Sequence, residues 1–351
     1  MSETPPVFDG HNDAVLAVYR GETTVDALRD GRDDGHLDLP RARAGGLAGG
    51  VFAVFVPSEP QFGAGKDANR VETPDGYRIR SPPPLAPSFA AQAADEMLAA
   101  LDELTAAEGV RRVESAADLR ACLDGDDFGV TVHFEGAEPV HPSLSNFADY
   151  YDRGLRSLGL AWSRPTAFAD GVPFAYPESP DIGDGLTDRG HRLVRRCNDR
   201  GVLVDCAHLP EAGFWDVHDT SSDPVVVSHT GAHEQCPSTR NLTDEQLDAV
   251  ADTNGLVGLT FAAGALRADG TNDPDTGLDV VVRHIDHLVD RMGVDHVALG
   301  SDFDGATIPE SIGDATGVPG IFDALRDAGY ADRDLAKLAH ENWLRVCDAT
   351  W

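Results

Sequence analysis

This sequence of 351 residues predicts an α/β fold, a single (β/α)8 or TIM barrel, from three observations. Eight short apolar runs rich in β-branched residues recur along the chain. Each gives way to a polar position and then to a stretch with helical spacing. Residues able to bind metals or move protons gather at the ends of five runs, where barrel enzymes keep their chemistry. A doubly wound open sheet is the competing architecture, and it would gather those residues less naturally.

The first candidate strand, PVFD (6–9), leads into His11 and Asp13 just beyond its end. In extended chain, side chains i and i+2 point the same way, so these two can converge on one point. The second strand is GVFAVFV (50–56). The third, GVTVHFE (129–135), ends on Glu135, and the fourth, SLGLAW (157–162), ends on Trp162. VLVDCAH (202–208) ends on His208 and PVVVSH (224–229) on His229. LVGLTFA (256–262) is seventh, and HVALGSD (296–302) ends on Asp302. Helices are predicted over 88–107, 187–200, 243–253, 279–292 and 332–348. Thr243 with Gln246 three residues on has the pattern of a capping box. Residues 57–87, with seven prolines, read as a long irregular insertion on the active-site face, either a lid or a surface loop. No linker divides the chain, so residues 1–351 are expected to form one domain.

No apolar run reaches the roughly 18 residues of a membrane span. MSETPPVFDG lacks the basic and apolar segments of a secretory signal, so a cytoplasmic location is expected. The net charge is −32, with 60 acidic residues against 28 basic ones, only two of them lysines, Lys66 and Lys337. Nucleic-acid binding needs a basic footprint and is excluded as an expectation. Hydrophobic segments recur along the whole chain, which argues against disorder. The charge is read as a halophilic surface, because concentrated salt screens the self-repulsion of a compact acidic chain. Five scattered cysteines without a CxxC pair read as free buried thiols.

The strand-end residues suit hydrolysis by paired metals, in which two ions about 3.5–4 Å apart clamp a nucleophilic hydroxide and the carbonyl it attacks. Imidazole and carboxylate are suitable zinc ligands. His11 and Asp13 can hold one metal, His208 and His229 the other, with Glu135 bridging. Asp302 is then the candidate to carry protons between water and leaving group.

These residues also carry a resemblance. FDGHND (8–13), FEGAE (134–138), VDCAH (204–208), VVVSHTGAH (225–233), RNLTDEQLDAV (240–250) and ALGSDFDG (298–305) resemble the membrane dipeptidase family, the renal dipeptidase-like zinc peptidases of the amidohydrolase superfamily. The likeness runs from about residue 6 to ENWLRV at 341–346 and is weakest over 57–87. It implies a barrel with two Zn2+, with Mn2+ or Co2+ acceptable to the same ligands. By position, His11 and Asp13 match ligands of the first zinc, Glu135 the bridging carboxylate, and His208 and His229 ligands of the second. Asp302 matches the catalytic acid/base. Arg240 matches the arginine that holds the substrate's carboxylate, a task suited to a planar fork. The animal enzymes carry a substrate-contacting histidine near the end of strand 4. Here Trp162 takes that place, as a pocket residue that can stack or donate one N–H but carries no charge.

The resulting expectation is a dinuclear zinc dipeptidase acting on small dipeptides through a hydroxide between the metals. The alternative is a dinuclear hydrolase of another amide or lactone, such as an N-acyl amino acid. A non-catalytic binder is disfavoured because all six site residues are present, and a metallonuclease because its opening motif is HxH. Homodimerisation is the expectation the resemblance carries. Among the remaining residues, His133 reads as a core histidine or an orienting group, His233 as a loop residue, and His284 and His287 as a solvated helix face. Asp205 is a candidate to orient a neighbour, and Asp304 and Gly305 shape a turn.

Overall fold

In the computed structural model, which describes residues 4–58 and 69–351, the apolar runs form eight parallel strands neighbouring one another in chain order. They are β1 (Val7–Asn12), β2 (Leu47–Val54), β3 (Phe128–Phe134), β4 (Leu155–Gly159), β5 (Leu203–Asp205), β6 (Val226–Thr230), β7 (Leu256–Leu259) and β8 (Val297–Leu299). The sheet closes on itself. Asn12 bridges Phe303 in parallel, the Asp302 N–H donates to the His11 carbonyl at 3.0 Å, and the Asp13 N–H donates to the Phe303 carbonyl at 2.8 Å. The predicted TIM barrel is therefore the fold.

Alternation along the strands divides the core. Val130, Val132 and Phe134 of β3 join the large apolar layer beneath the helices. Phe8, Val51, Leu203, Val226, Leu256 and Ala298 instead join Trp343, Val346 and Cys347 from the last helix, Asn342–Thr350. That helix plugs the N-terminal end of the barrel. Gly10 makes room for the plug, since a Cβ there would lie 2.4 Å from the Trp343 ring. The other end is left to polar groups. All five cysteines are free and buried, as expected.

Several boundaries differ from the expectation. β1 continues to Asn12, so His11 lies within it rather than beyond it. β5, β7 and β8 end early, so His208 and Asp302 stand past their strands, as does Glu135 by one residue. The three short strands stop by one device, in which a side chain accepts the backbone N–H two residues on. Asp205 takes it from Ala207 at 3.0 Å, Thr260 from Ala262 at 3.1 Å and Ser301 from Phe303 at 3.1 Å. These local bonds replace ladder bonds and turn the chain out at the barrel mouth.

The expected helices are present, including the Thr243–Gln246 capping box, but 332–348 is interrupted by a π-helical turn, Lys337–Glu341. The described part of 57–87 is not structureless. Arg70–Thr73 and Gly76–Ile79 form an antiparallel hairpin that adds to Ala175–Tyr176. The remainder, 59–68, lies outside the described residues. Among the described residues no helix is long and apolar enough to cross a membrane.

His284 corrects another expectation. It is fully buried, not solvated, because it lies on the same stripe of Leu278–Met292 as Val281, Ile285 and Leu288. Its Nδ1 accepts the Ala232 N–H at 3.1 Å and its Nε2 lies 2.9 Å from the Leu266 carbonyl. Burial pushes its pKa down to about 4. The folded state therefore refuses a proton that the unfolded chain accepts below its ordinary value of about 6.5. Stability from this group is full above that value and is lost as pH falls toward 4, by about 3 kcal/mol. Glutamine can imitate both hydrogen bonds without titrating. In metal-free protein, His284→Gln is expected to flatten the loss of melting temperature between about pH 6.5 and 4. An unchanged slope would refute this role.

The acidic excess yields a second expectation. With a net charge of −32, the melting temperature should climb by several degrees between about 0.1 M and 3 M KCl, as screening shortens from roughly 10 Å to below 3 Å. A melting temperature indifferent to salt would count against the halophilic reading.

Candidate metal centre and active site

The polar mouth gathers the strand-end residues into one cluster. Glu135 Oε1 lies 2.9 Å from His208 Nε2, 3.5 Å from His229 Nε2 and 3.7 Å from His11 Nε2. His11 Nε2 is also 3.4 Å from Asp13 Oδ2. The rings of His11 and His229 stack at 3.8 Å, and His208 Nε2 faces His229 Nε2 at 3.0 Å. Among the described residues, two sets of potential ligand atoms each lie mutually within 4.8 Å: His11, Glu135 and His229, and His11, Asp13 and Asp302. One acidic oxygen thus sits among three imidazoles supplied by β1, β6 and the turn after β5.

The backbone is bent to aim these groups. His208 (φ 66°) and Asp302 (φ 62°) are both left-handed, a conformation that non-glycine residues adopt sparingly. Asp13 occupies the N-cap of Ala14–Tyr19 yet makes no capping bond, so its carboxylate is spent on the cluster. Gly305 permits the turn after β8 to close, since a Cβ there would lie 2.2 Å from Asp13 Oδ2 and 2.4 Å from Asp302 Oδ1. Asp304 fastens the same turn. It accepts from buried Arg32 and from the His36 N–H at 2.7 Å.

Outer partners fix the imidazoles. The Ser228 hydroxyl donates to Asp205 and accepts from His229 Nδ1 at 2.9 Å. This relay leaves the His229 Nε2 lone pair directed at the cluster, and it gives Asp205 the orienting role considered for it. Ser163 Oγ lies 3.0 Å from His208 Nδ1. His133 lies beneath, 2.9 Å from Ser157 Oγ, where burial pushes its pKa down to about 4. His233 is turned away to the Glu178 carbonyl. Sequence reasoning missed Ser163 and Ser228. Their adjacency to Trp162 and His229 was the available signal, but serine is too common for it to stand out.

The electrostatics fit a site built for cations. Burial, reinforced by the nearby Asp13 carboxylate, pushes Glu135 well above the usual carboxylate range. Burial works against a charge on His11, yet Glu135, Asp13 and Asp302 push its pKa up to about 10. Burial and the neighbouring His11 push His229 far down. Both ring nitrogens of His11 and Asp13 Oδ1 are buried without a hydrogen-bond partner among the described residues. Such orphans in a native core require an explanation. Divalent metals would satisfy His11 Nε2 and Asp13 Oδ1 and offset the crowded acids, so the residues present fit a metal centre.

Arg240 reaches the same mouth from the loop after β6. Burial pushes its pKa down to about 10, against the pull of Asp302 and Glu135, so it stays cationic at neutral pH. Among the described residues its guanidinium donates one hydrogen bond, to the His229 carbonyl at 3.4 Å. Trp162 stands beside the cluster with its ring centre 5.7 Å from that of His208.

The family model described as membrane dipeptidase (peptidase family M19) matches residues 1–350. The chain belongs to this family. It is accordingly a metal-dependent hydrolase of dipeptidase type and takes a divalent metal. Among solved structures similar to this chain, a Rhodobacter sphaeroides metallopeptidase liganded with a phosphinate mimic of the dipeptide L-Ala-D-Ala is 43% identical. It superposes with a TM-score of 0.94, covering 99% of this chain and 100% of its own. A metallopeptidase of family M19, dipeptidase AC, is 44% identical with a TM-score of 0.93, covering 99% of each chain. An uncharacterized Klebsiella pneumoniae protein from the pqqA 5′ region is 42% identical over 73% of this chain and 95% of its own length.

Proposed function

We propose that this M19 chain is a dinuclear zinc dipeptidase. The observation that carries the reading is the convergence of three imidazole nitrogens on Glu135 Oε1 beside the unpartnered atoms of His11 and Asp13. His11 and Asp13 would hold one ion, His208 and His229 the other, and Glu135 both, with Mn2+ or Co2+ accepted by the same donors. The metals would supply a Lewis acid for the peptide carbonyl and a water whose pKa falls near neutrality.

The remaining steps belong to side chains. Arg240, cationic and short of partners, binds the C-terminal carboxylate through two parallel hydrogen bonds and confines the enzyme to short peptides. Asp302 takes the proton of the attacking water and returns it to the leaving amine. Trp162 lines the pocket beside His208. The phosphinate held by the Rhodobacter sphaeroides relative mimics the dipeptide L-Ala-D-Ala, which favours free dipeptides with a C-terminal D-residue as first substrates.

The test is hydrolysis of a dipeptide panel, including L,D pairs, by zinc-loaded protein, with the C-terminal amide of the best substrate alongside. Free dipeptides should turn over and the amide should not. Arg240→Met is expected to raise KM for the free dipeptide by roughly 10–100-fold, with a smaller change in kcat, as removal of charge-assisted bonds made equally in ground and transition states predicts. An uncharged Trp162 where the animal enzymes have histidine favours a second reading, a hydrolase of N-acyl amino acids or lactones. Equal turnover of carboxylate-free substrates by wild type and Arg240→Met would select the lactone form of it.

A further inference from the structure

Beside the metal cluster lies a wall of three aromatic rings. Phe55 and Trp162 have centroids 5.0 Å apart, and Trp162 and Phe174 5.6 Å apart. Phe174 stands 6.0 Å from the His208 ring. All three are only partly buried. Other partly buried aromatics, such as Phe89 and Trp215, pack against the apolar core away from the cluster, whereas Trp162 and Phe174 adjoin His208 and Phe55 adjoins Trp162. Partly uncovered aromatic faces next to a hydrolytic centre have the character of a ligand pocket, apolar with a few convergent polar groups.

The wall is built on rigid supports. Arg164 is fully buried behind it, its guanidinium 5.2 Å from the Trp162 ring and 5.4 Å from that of Phe55. It donates to Glu138 at 2.6 Å and to the Val56 carbonyl. One cation thereby ties the turn after β2 to the turn after β4. Phe174 is held from both sides, because the Val172 N–H donates to the His208 carbonyl at 2.8 Å and the Ile79 N–H donates to the Phe174 carbonyl at 2.7 Å.

The barrel order tells which part of a dipeptide meets the wall. Arg240 and Asp302 follow β6 and β8, whereas Phe55 and Trp162 follow β2 and β4 and Phe174 lies between β4 and β5. A dipeptide with its carbonyl on the cluster and its C-terminal carboxylate at Arg240 must direct its N-terminal residue across the mouth, toward the rings. We infer that Phe55, Trp162 and Phe174 form a subsite that selects an apolar side chain on the N-terminal residue of the substrate. The inference rests on the dipeptidase reading and adds the substrate class to it.

The experiment uses zinc-loaded protein and two series. One varies the N-terminal residue through Gly, Ala, Leu and Phe before a constant D-Ala. The other varies the C-terminal residue after a constant L-Ala. In the first series kcat/KM should rise on the order of 10–100-fold from Gly to Phe, and in the second it should change far less. Phe174→Ala and Phe55→Ala should each shrink the Phe-to-Gly ratio several-fold, and Phe174→Leu should restore part of it. A flat N-terminal series in wild type, or an equal response to the C-terminal side chain, overturns the subsite and leaves the dipeptidase reading standing. Absence of turnover for every dipeptide, with metal shown to be bound, ends that reading and the subsite with it. The wild-type ratio alone decides the matter should a variant fail to fold.

Discussion

Glu135→Gln is expected to abolish dipeptide turnover and, in metal-free protein, to raise the melting temperature. Both effects follow from where the carboxylate sits. Its Oε1 lies within 3.7 Å of all three Nε2 atoms, those of His11, His208 and His229. An amide has no charge to share between cations and presents an N–H2 to nitrogens that need acceptor freedom. Losing an outer partner of a metal ligand costs 10–100-fold, so losing the carboxylate proposed to bridge the metals should cost more than ~10³-fold in kcat/KM. Metal content measured by elemental analysis should fall in parallel. Without metal the same carboxylate is a burden, since burial and Asp13 already push its pKa well above the usual range. Neutralising it at constant volume removes that burden while the Asp13 carboxylate remains to counter the charge on His11, so the metal-free fold should melt higher. Calorimetry after chelation reads the second effect. Metal-loaded Glu135→Gln within tenfold of wild-type activity would sink the assignment, and a metal-free variant that melts lower would sink the account of its burial.

What the sequence made legible was whatever obeys a short period. Apolar runs and their polar ends located all eight barrel strands, because inward and outward positions alternate with period two and the chemistry must stand at one end. Glu135, His208, His229 and Asp302 were legible for that reason. Boundaries were not. VLVDCAH reads as seven residues of strand, but Asp205 turns its carboxylate back onto the Ala207 N–H, and a side chain competing with the ladder leaves the hydrophobic pattern unchanged. His284 was misread because a helix face is defined by its neighbours. Histidine counts as polar in a periodicity, yet here two backbone partners pay for its burial. The supports of the site were the least legible. The Asp205–Ser228–His229 relay joins two strands, and Arg164 joins the turns after β2 and β4. Contacts made across the barrel leave no spacing in the chain.

These supports share one physical purpose, which is to hold the side chains of the cluster in conformations the chain would not choose. His208 and Asp302 are left-handed, and their strain persists because neighbours over-determine it. Ser163 fixes one ring from behind. The Arg32–Asp304 pair, both partners buried, holds the turn that carries Asp302. Aromatic faces are anchored by the same logic, with Glu138 and Arg164 buried behind them. The mouth is therefore arranged in depth. Groups that would meet substrate stand in front of charged or hydroxyl groups that never do.

Asp302→Asn separates holding from catalysis and is expected to lower kcat by about 10²–10⁴-fold, the usual contribution of a positioned general acid or base. The substitution is clean for a structural reason. At φ 62° most residues would be strained, but asparagine tolerates the left-handed region as aspartate does. The backbone bonds that set the turn, from the Asp302 N–H to the His11 carbonyl and from the Gly305 and Ala306 N–H groups to the Asp302 carbonyl, survive unchanged. What is lost is the carboxylate's charge, and with it the capacity to take and return a proton. If Asp302 carries the proton, KM and bound metal should stay near wild type while kcat falls. If it serves instead as a ligand, as its place in the cluster with His11 and Asp13 allows, the metal count should drop together with kcat. Steady-state kinetics and metal analysis on the same preparation distinguish the two, and a variant that keeps both its metal and its kcat would remove Asp302 from the reaction altogether.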